Sequence, residues 1–230
     1  METKKRLLII DFCGTLTDIQ TADLFIYYLL KKYFFRRILF KGIKLFQYGI
    51  YLINKLNLFH IETSKLWFVF LLNGINPEVI KKASIDYSKH LLSKHMRKDV
   101  LIFINNNYRD YYKIILSAGY FDYINLVNTQ LHFDEVYASK LLTSSNFPHK
   151  ISYKIDRSYF GKDKLNFFLD YENRLGPFKE VVFFTDSITD IPLANYCKTV
   201  FCYPSKKIKN LIKKNKDWSE LNSINIQHIS

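Results

Sequence analysis

Four short pieces of the sequence carry side chains that could work together. Asp11-Phe12-Cys13-Gly14-Thr15 follows the apolar run RLLII, and an acid directly after such a run, before a Gly-Thr turn, suits a nucleophilic carboxylate. Cys13 stands two residues later, where a second carboxylate would make chemical sense. Ser117-Ala118-Gly119 follows a second apolar run, and Asp186-Ser187-Ile188-Thr189-Asp190 a third. Lys164 lies in GKDKLNFFL, at the start of a helical pattern. Each has a plainer reading when taken alone. Asp11 could cap a helix, Ser117 could be a capping hydroxyl, and Lys164 could be a surface lysine with Lys162 as a rival. Asp186 and Asp190 could mark a solvated helix start, where acids are favoured.

The elements that must position these residues are legible as short apolar runs. Arg6 to Phe12, Tyr112 to Ala118 and Glu180 to Asp186 read as buried parallel strands, with Lys198 to Tyr203 as a fourth. Weaker strand-like pieces are Asn125 to Phe133 and Glu135 to Leu142, and a helix is expected from Lys162 to Tyr171. Strands alternating with helices predict an α/β doubly wound, Rossmann-like parallel sheet. Ligands bind such sheets at the carboxyl ends of the strands, where Asp11, Ser117 and Asp186 fall. Residues 17–99 differ: they are nearly free of Gly and Pro and read as helices, broken at Gly42 and Gly49. Thr63 or Ser64 is a candidate cap there, and Asn76-Pro77 is a helix start. The expected organisation is a core of residues 1–16 and 100–230, with a helical cap of residues 17–99 inserted after the first strand.

Acid, hydroxyl, lysine and acid pair, in that order, resemble the haloacid dehalogenase (HAD) superfamily. The phosphoserine phosphatase-like branch, with its helical cap after the first motif, is the nearer likeness. The likeness spans nearly the whole chain, through the closing strand, the helix and Trp218. It implies a Mg²⁺-dependent phosphomonoester hydrolase in which Asp11 attacks phosphorus and forms an aspartyl-phosphate. Mg²⁺ takes hard oxygen ligands, typically one or two carboxylates plus phosphate. The implied ligands are Asp11, Asp186 and Asp190, with the backbone carbonyl of Cys13. Asp190 could instead hold a metal-bound water or Lys164. Ser117, Ala118 and Lys164 would bind phosphate oxygens, Gly14 would let the backbone approach closely, and Thr15 would brace the turn. Gln20 and Asp23, early in the cap, are the candidates for reading the substrate. The substrate implied is small and soluble: a phosphorylated amino acid, amino alcohol or sugar-type intermediate.

Cys13 departs from that pattern. The family's phosphatases carry an Asp there, which protonates the leaving oxygen and then activates water, help worth about 10²–10⁴ in rate. A thiol ordinarily titrates near ~8.5 and is a poor copy of that acid and base. Phosphoryl transfer to Asp11 survives this change, whereas release of phosphate should slow or use another group, with Asp23 a candidate. The alternatives are transfer to an acceptor other than water, and a catalytically silent phosphate- and metal-binding protein.

Bulk properties narrow the field further. The 230 residues carry a net charge of +13, which favours anionic partners. No zinc pattern, helix-turn-helix or stacking motif points to nucleic acid. Three cysteines are no disulfide framework and fit a reducing cytoplasm. The N-terminal apolar run is short and interrupted by Asp11, so it reads as a strand rather than a signal peptide. LFIYYLL and LWFVFLL are far below the roughly 18 apolar residues of a membrane span. The cap is basic and aromatic, with Lys31, Lys32, Arg36, Arg37, Lys41 and Lys44 among Phe and Tyr. The favoured expectation is helix faces covering a ring-rich core, with a peripheral membrane contact as the alternative.

Overall fold

The computed structural model describes residues 5–55, 66–146 and 150–221. Its centre is a six-stranded, all-parallel sheet in the order β3-β2-β1-β6-β7-β8. The strands are β1 (Arg6–Ile10), β2 (Tyr112–Tyr120), β3 (Glu135–Ser139), β6 (Glu180–Thr185), β7 (Lys198–Cys202) and β8 (Trp218–Leu221). A parallel sheet covered on both faces needs strands that are apolar throughout. In β1, Leu7, Leu8, Ile9 and Ile10 are all fully buried. Because successive side chains alternate, Leu7 and Ile9 join one core while Leu8 and Ile10 join the other.

The core reached by Leu7 and Ile9 is closed by α7 (Lys162–Leu175), α8 (Ile191–Ala194) and α9 (Lys206–Ile212). The core on the opposite face contains residues of α1 (Thr21–Leu29), α2 (Phe34–Lys55), α3 (Leu66–Val69), α4 (Pro77–Lys94), α5 (Lys98–Asn107) and α6 (Phe121–Leu131). Phe25, Tyr87, Tyr120 and Tyr123 form its aromatic centre, Phe25 lying 4.9 to 5.7 Å from the other three rings. The helical segment leaves and returns at one place. Thr17 bridges Met96, Asp18 N–H donates to His95 O, and Arg97 N–H donates to Leu16 O.

Several expectations are modified. Asn125 to Phe133 is not a strand: most of it belongs to α6, whose buried Tyr123, Ile124 and Val127 recur at helical spacing. The helix broken at Gly42 and Gly49 instead runs unbroken as α2 from Phe34 to Lys55. Each glycine costs a helix only about 1 kcal/mol. Asn76 caps α4 as expected, accepting from Glu78 N–H, with Pro77 at the first position. Thr63 and Ser64 lie outside the described residues. β2 runs on through a register shift to Tyr120. Glu135 to Leu142 divides into β3 and the start of an antiparallel hairpin, β4 (Leu141–Asn146) and β5 (Lys150–Ile155). That hairpin abuts the inserted helices: Gly74 N–H donates to Ile151 O, and the Tyr153 hydroxyl to Ile75 O.

Candidate active site

Strand β1 lies between β2 and β6, so the loops after these strands converge above the sheet. Asp11 follows β1 directly, and its N–H continues the ladder by donating to Phe184 O at 2.9 Å. The loop Phe12–Leu16 then folds into a tight, wholly buried turn. Gly14 is essential to that turn. Its φ is +82°, and a Cβ there would lie 2.2 Å from Asp186 Oδ2. The turn therefore presses the backbone against the carboxylate that follows β6.

Lys164 is the hub. It lies in the first turn of α7, is 3% exposed, and donates to Asp11 Oδ1 at 2.8 Å and Asp190 Oδ2 at 2.7 Å. Lys162, its rival, is exposed. Asp190 Oδ2 also accepts from Thr185 Oγ at 2.7 Å. Thr15 Oγ sits between the remaining acids, 3.4 Å from both Asp11 Oδ2 and Asp186 Oδ1. Burial alone would lower the Lys164 pKa, but Asp11 and Asp190 outweigh it and hold the ammonium charged. Burial pushes the Asp11 carboxyl up, against the pull of Lys164. Among the described residues Asp186 has no ion-pair partner. Burial, then the charges of Asp11 and Asp190, push its pKa up to about 7.

Three carboxylates facing one ammonium leave a surplus of negative charge, and all the side-chain donors are hard oxygens. That set fits a divalent cation such as Mg²⁺, held by Asp11 and Asp186. Among the described residues no group of three or more His, Cys, Asp or Glu side chains is placed to hold a metal ion by itself. Mg²⁺ does not require one, because it keeps waters and borrows ligands from phosphate. Asp190 gives its Oδ2 to both Lys164 and Thr185, the arrangement expected of the alternative in which it holds the lysine.

The residues expected on the phosphate side also come together. Ser117 is fully buried beyond the last β1–β2 pair, Ile10 with Ile115. Its Oγ accepts from Gly119 N–H at 3.1 Å and lies 3.7 Å from Cys13 Sγ. Ala118 is partly exposed beside it. Cys13 Sγ is 2.9 Å from Thr21 Oγ, which in turn is 2.6 Å from the Tyr123 hydroxyl. Tyr123 is fully buried, and burial drives its pKa well above the ordinary phenol value. The neighbours of Cys13 are therefore hydroxyls rather than carboxylates.

The two specificity candidates are not joined to this cluster. Gln20 is exposed, and Asp23 forms an ion pair with exposed Lys44. Asp18 is likewise engaged, 2.9 Å from His95 Nδ1. Thr185 and Tyr123 carry contacts that sequence reading missed. Thr185 ends a recognised strand one residue before Asp186, which was a usable signal. Tyr123 gave none, because only the packing of α6 brings it to Thr21.

No protein-family model and no curated protein matches this sequence. Solved structures do match. A protein of unknown function from Bordetella pertussis Tohama I aligns with a TM-score of 0.73 at 13% identity, covering 96% of this chain and 99% of its own. A HAD family hydrolase from Salmonella enterica subsp. enterica serovar Typhi gives 0.64 at 10%, covering 96% and 68%. A phosphoserine phosphatase, as a phospho-aspartyl intermediate analogue, gives 0.60 at 17%, covering 95% and 94%. The chain has the fold of HAD hydrolases. At such identities the likeness concerns the fold, and the chemistry must be argued from the site.

Proposed function

We propose that this chain is a phosphomonoester hydrolase that works through an aspartyl-phosphate on Asp11. The observation that carries the reading is Lys164, buried and bonded to both Asp11 and Asp190 at the carboxyl end of the sheet. A buried ammonium between two carboxylates costs folding energy that packing alone does not require. It is well placed to neutralise an incoming phosphate and to fix the Asp11 carboxylate. The described helices between residues 17 and 99 are read as a cap over this end, which suits a small phosphorylated metabolite.

In the first step an Asp11 carboxylate oxygen bonds to phosphorus as the bond to the leaving oxygen breaks, and that oxygen takes a proton from solvent water to leave as the alcohol. Lys164 orients that carboxylate, while Ser117 Oγ and the backbone N–H groups beside it receive phosphate oxygens. Mg²⁺, when held by Asp11 and Asp186, supplies positive charge that lets two anions meet. In the second step water must lose a proton to attack the aspartyl-phosphate. Cys13 occupies the position for that proton transfer, and its neighbours Thr21 and Ser117 are hydroxyls. The second step is therefore the slow one. This favours a second reading, transfer of the phosphoryl group to an acceptor other than water.

The test is a phosphatase screen with Mg²⁺ on wild type, Asp11→Asn and Cys13→Asp. Slow turnover by wild type, none by Asp11→Asn and faster turnover by Cys13→Asp is the expected pattern. A burst without turnover supports impaired hydrolysis of the aspartyl-phosphate, and turnover restored only by an added alcohol supports transfer to another acceptor. An inactive wild type with an active Cys13→Asp ends the hydrolase reading for the native protein.

A further inference from the structure

Helix α2 does not cover the core in the way its rings suggest. Phe40 and Ile50 point inward and are buried. Phe34, Phe35, Ile38, Leu39 and Leu45 recur at spacings of one helical face and point to solvent, with Phe34 68%, Phe35 80% and Leu45 74% exposed. Gly42 lies on the same face with nothing within 4 Å of a Cβ placed there. Exposed apolar faces of this extent are uncommon on monomeric proteins and mark contact surfaces.

The charges beside the face limit what can cover it. No acidic residue occurs in the sequence between Asp23 and Glu62, while Lys31, Lys32, Arg36, Arg37, Lys41, Lys44 and Lys55 do. Lys31 and Lys32, in the turn just before α2, and Lys41 on α2 are exposed, whereas Lys44 pairs with Asp23, Arg36 donates to Leu71 O and Arg37 donates to the Tyr27 hydroxyl. A second copy of the chain would bring two such basic surfaces together, each on a molecule of net charge +13. An anionic bilayer instead offers hydrocarbon to the rings and phosphate to the lysines. An amphipathic helix with rings on one face and lysines along the flanks lies in the plane of a membrane interface. No described helix is long and apolar enough to cross a membrane, so the contact is peripheral.

We propose that the exposed face of α2 docks this protein onto anionic membrane surfaces, the rings entering the headgroup boundary and the flanking lysines meeting lipid phosphates. Sedimentation with vesicles of phosphatidylcholine, with and without phosphatidylglycerol, tests it. Wild type should pellet with the anionic vesicles and far less with the neutral ones. Phe35→Ser with Leu45→Ser, at two of the most exposed positions, should weaken binding about tenfold per side chain while leaving the circular dichroism spectrum unchanged. Lys31→Gln with Lys32→Gln should weaken it too, and more at low salt. Absence of binding to anionic vesicles overturns the proposal. So does binding that ignores the Phe35 and Leu45 changes and vanishes with salt, which is charge attraction alone. A dimer in solution that those same two changes dissolve also overturns it.

Discussion

Asp11, Asp186 and Lys164 show how far residue types alone carry an argument. Their order, and the places of the two acids after apolar runs, were visible in the sequence, while the choice of Lys164 over Lys162 came from the family resemblance. The partition of the acids was not. The fold decides between the alternatives: among the described residues Lys164 takes Asp11 and Asp190, and Asp186 has no ammonium partner. That isolation has a measurable cost. A carboxyl whose pKa is raised in the folded state contributes its full stability below its unfolded value, near 3.8, and loses it as pH rises through about 7. Without divalent cations the wild type should therefore lose thermal stability between pH 4 and about 7. In chelator at pH 8, Asp186→Asn should melt higher than wild type, on the order of 5 °C. The same variant should gain nothing from Mg²⁺. Melting curves with and without Mg²⁺ check both statements, and a lower melting point in chelator would show that Asp186 is not a strained group.

At the scale of elements, parallel strands were easy to read because burial on both faces leaves runs such as LLII and VVFF. α6 resembles a strand locally because Val127 and Thr129 are β-branched within a short stretch, and packing overrides that preference. The β4–β5 hairpin was only half visible, since Leu142, Thr143 and Ser144 are exposed and carry little apolar pattern. For α2 the periodicity defined an apolar face without saying which way it would point. The turn after β1 and the aromatic seam yield separate predictions. Gly14→Ala places a Cβ against Asp186 in a left-handed backbone, so it should abolish turnover and Mg²⁺ stabilisation together. Phe25 is fully buried among Tyr87, Tyr120 and Tyr123. Phe25→Ala should cost about 3–5 kcal/mol, read as a loss in the urea midpoint. An unchanged midpoint would mean that the inserted helices contribute little to the stability of the sheet.

For the molecule as a whole, the sheet gathers Asp11, Ser117, Lys164, Asp186 and Asp190 from segments far apart in sequence. Their joint geometry gives each a purpose that none has alone. A surplus of carboxylate at one end of a chain of net charge +13 is a local feature set against the global charge. Saturating Mg²⁺ should therefore stabilise the folded chain, by about 2.7 kcal/mol at a hundred times its dissociation constant. Sodium at matched ionic strength should not reproduce this, and equal stabilisation by sodium would indicate general screening instead. The most direct test of the central claim is intact-mass spectrometry after reaction with p-nitrophenyl phosphate and Mg²⁺, followed by peptide mapping. The expected result is one phosphoryl adduct on the peptide bearing Asp11, absent in Asp11→Asn and shorter-lived in Cys13→Asp than in wild type. An adduct on another residue, or an Asp11→Asn protein that still carries the adduct, contradicts it.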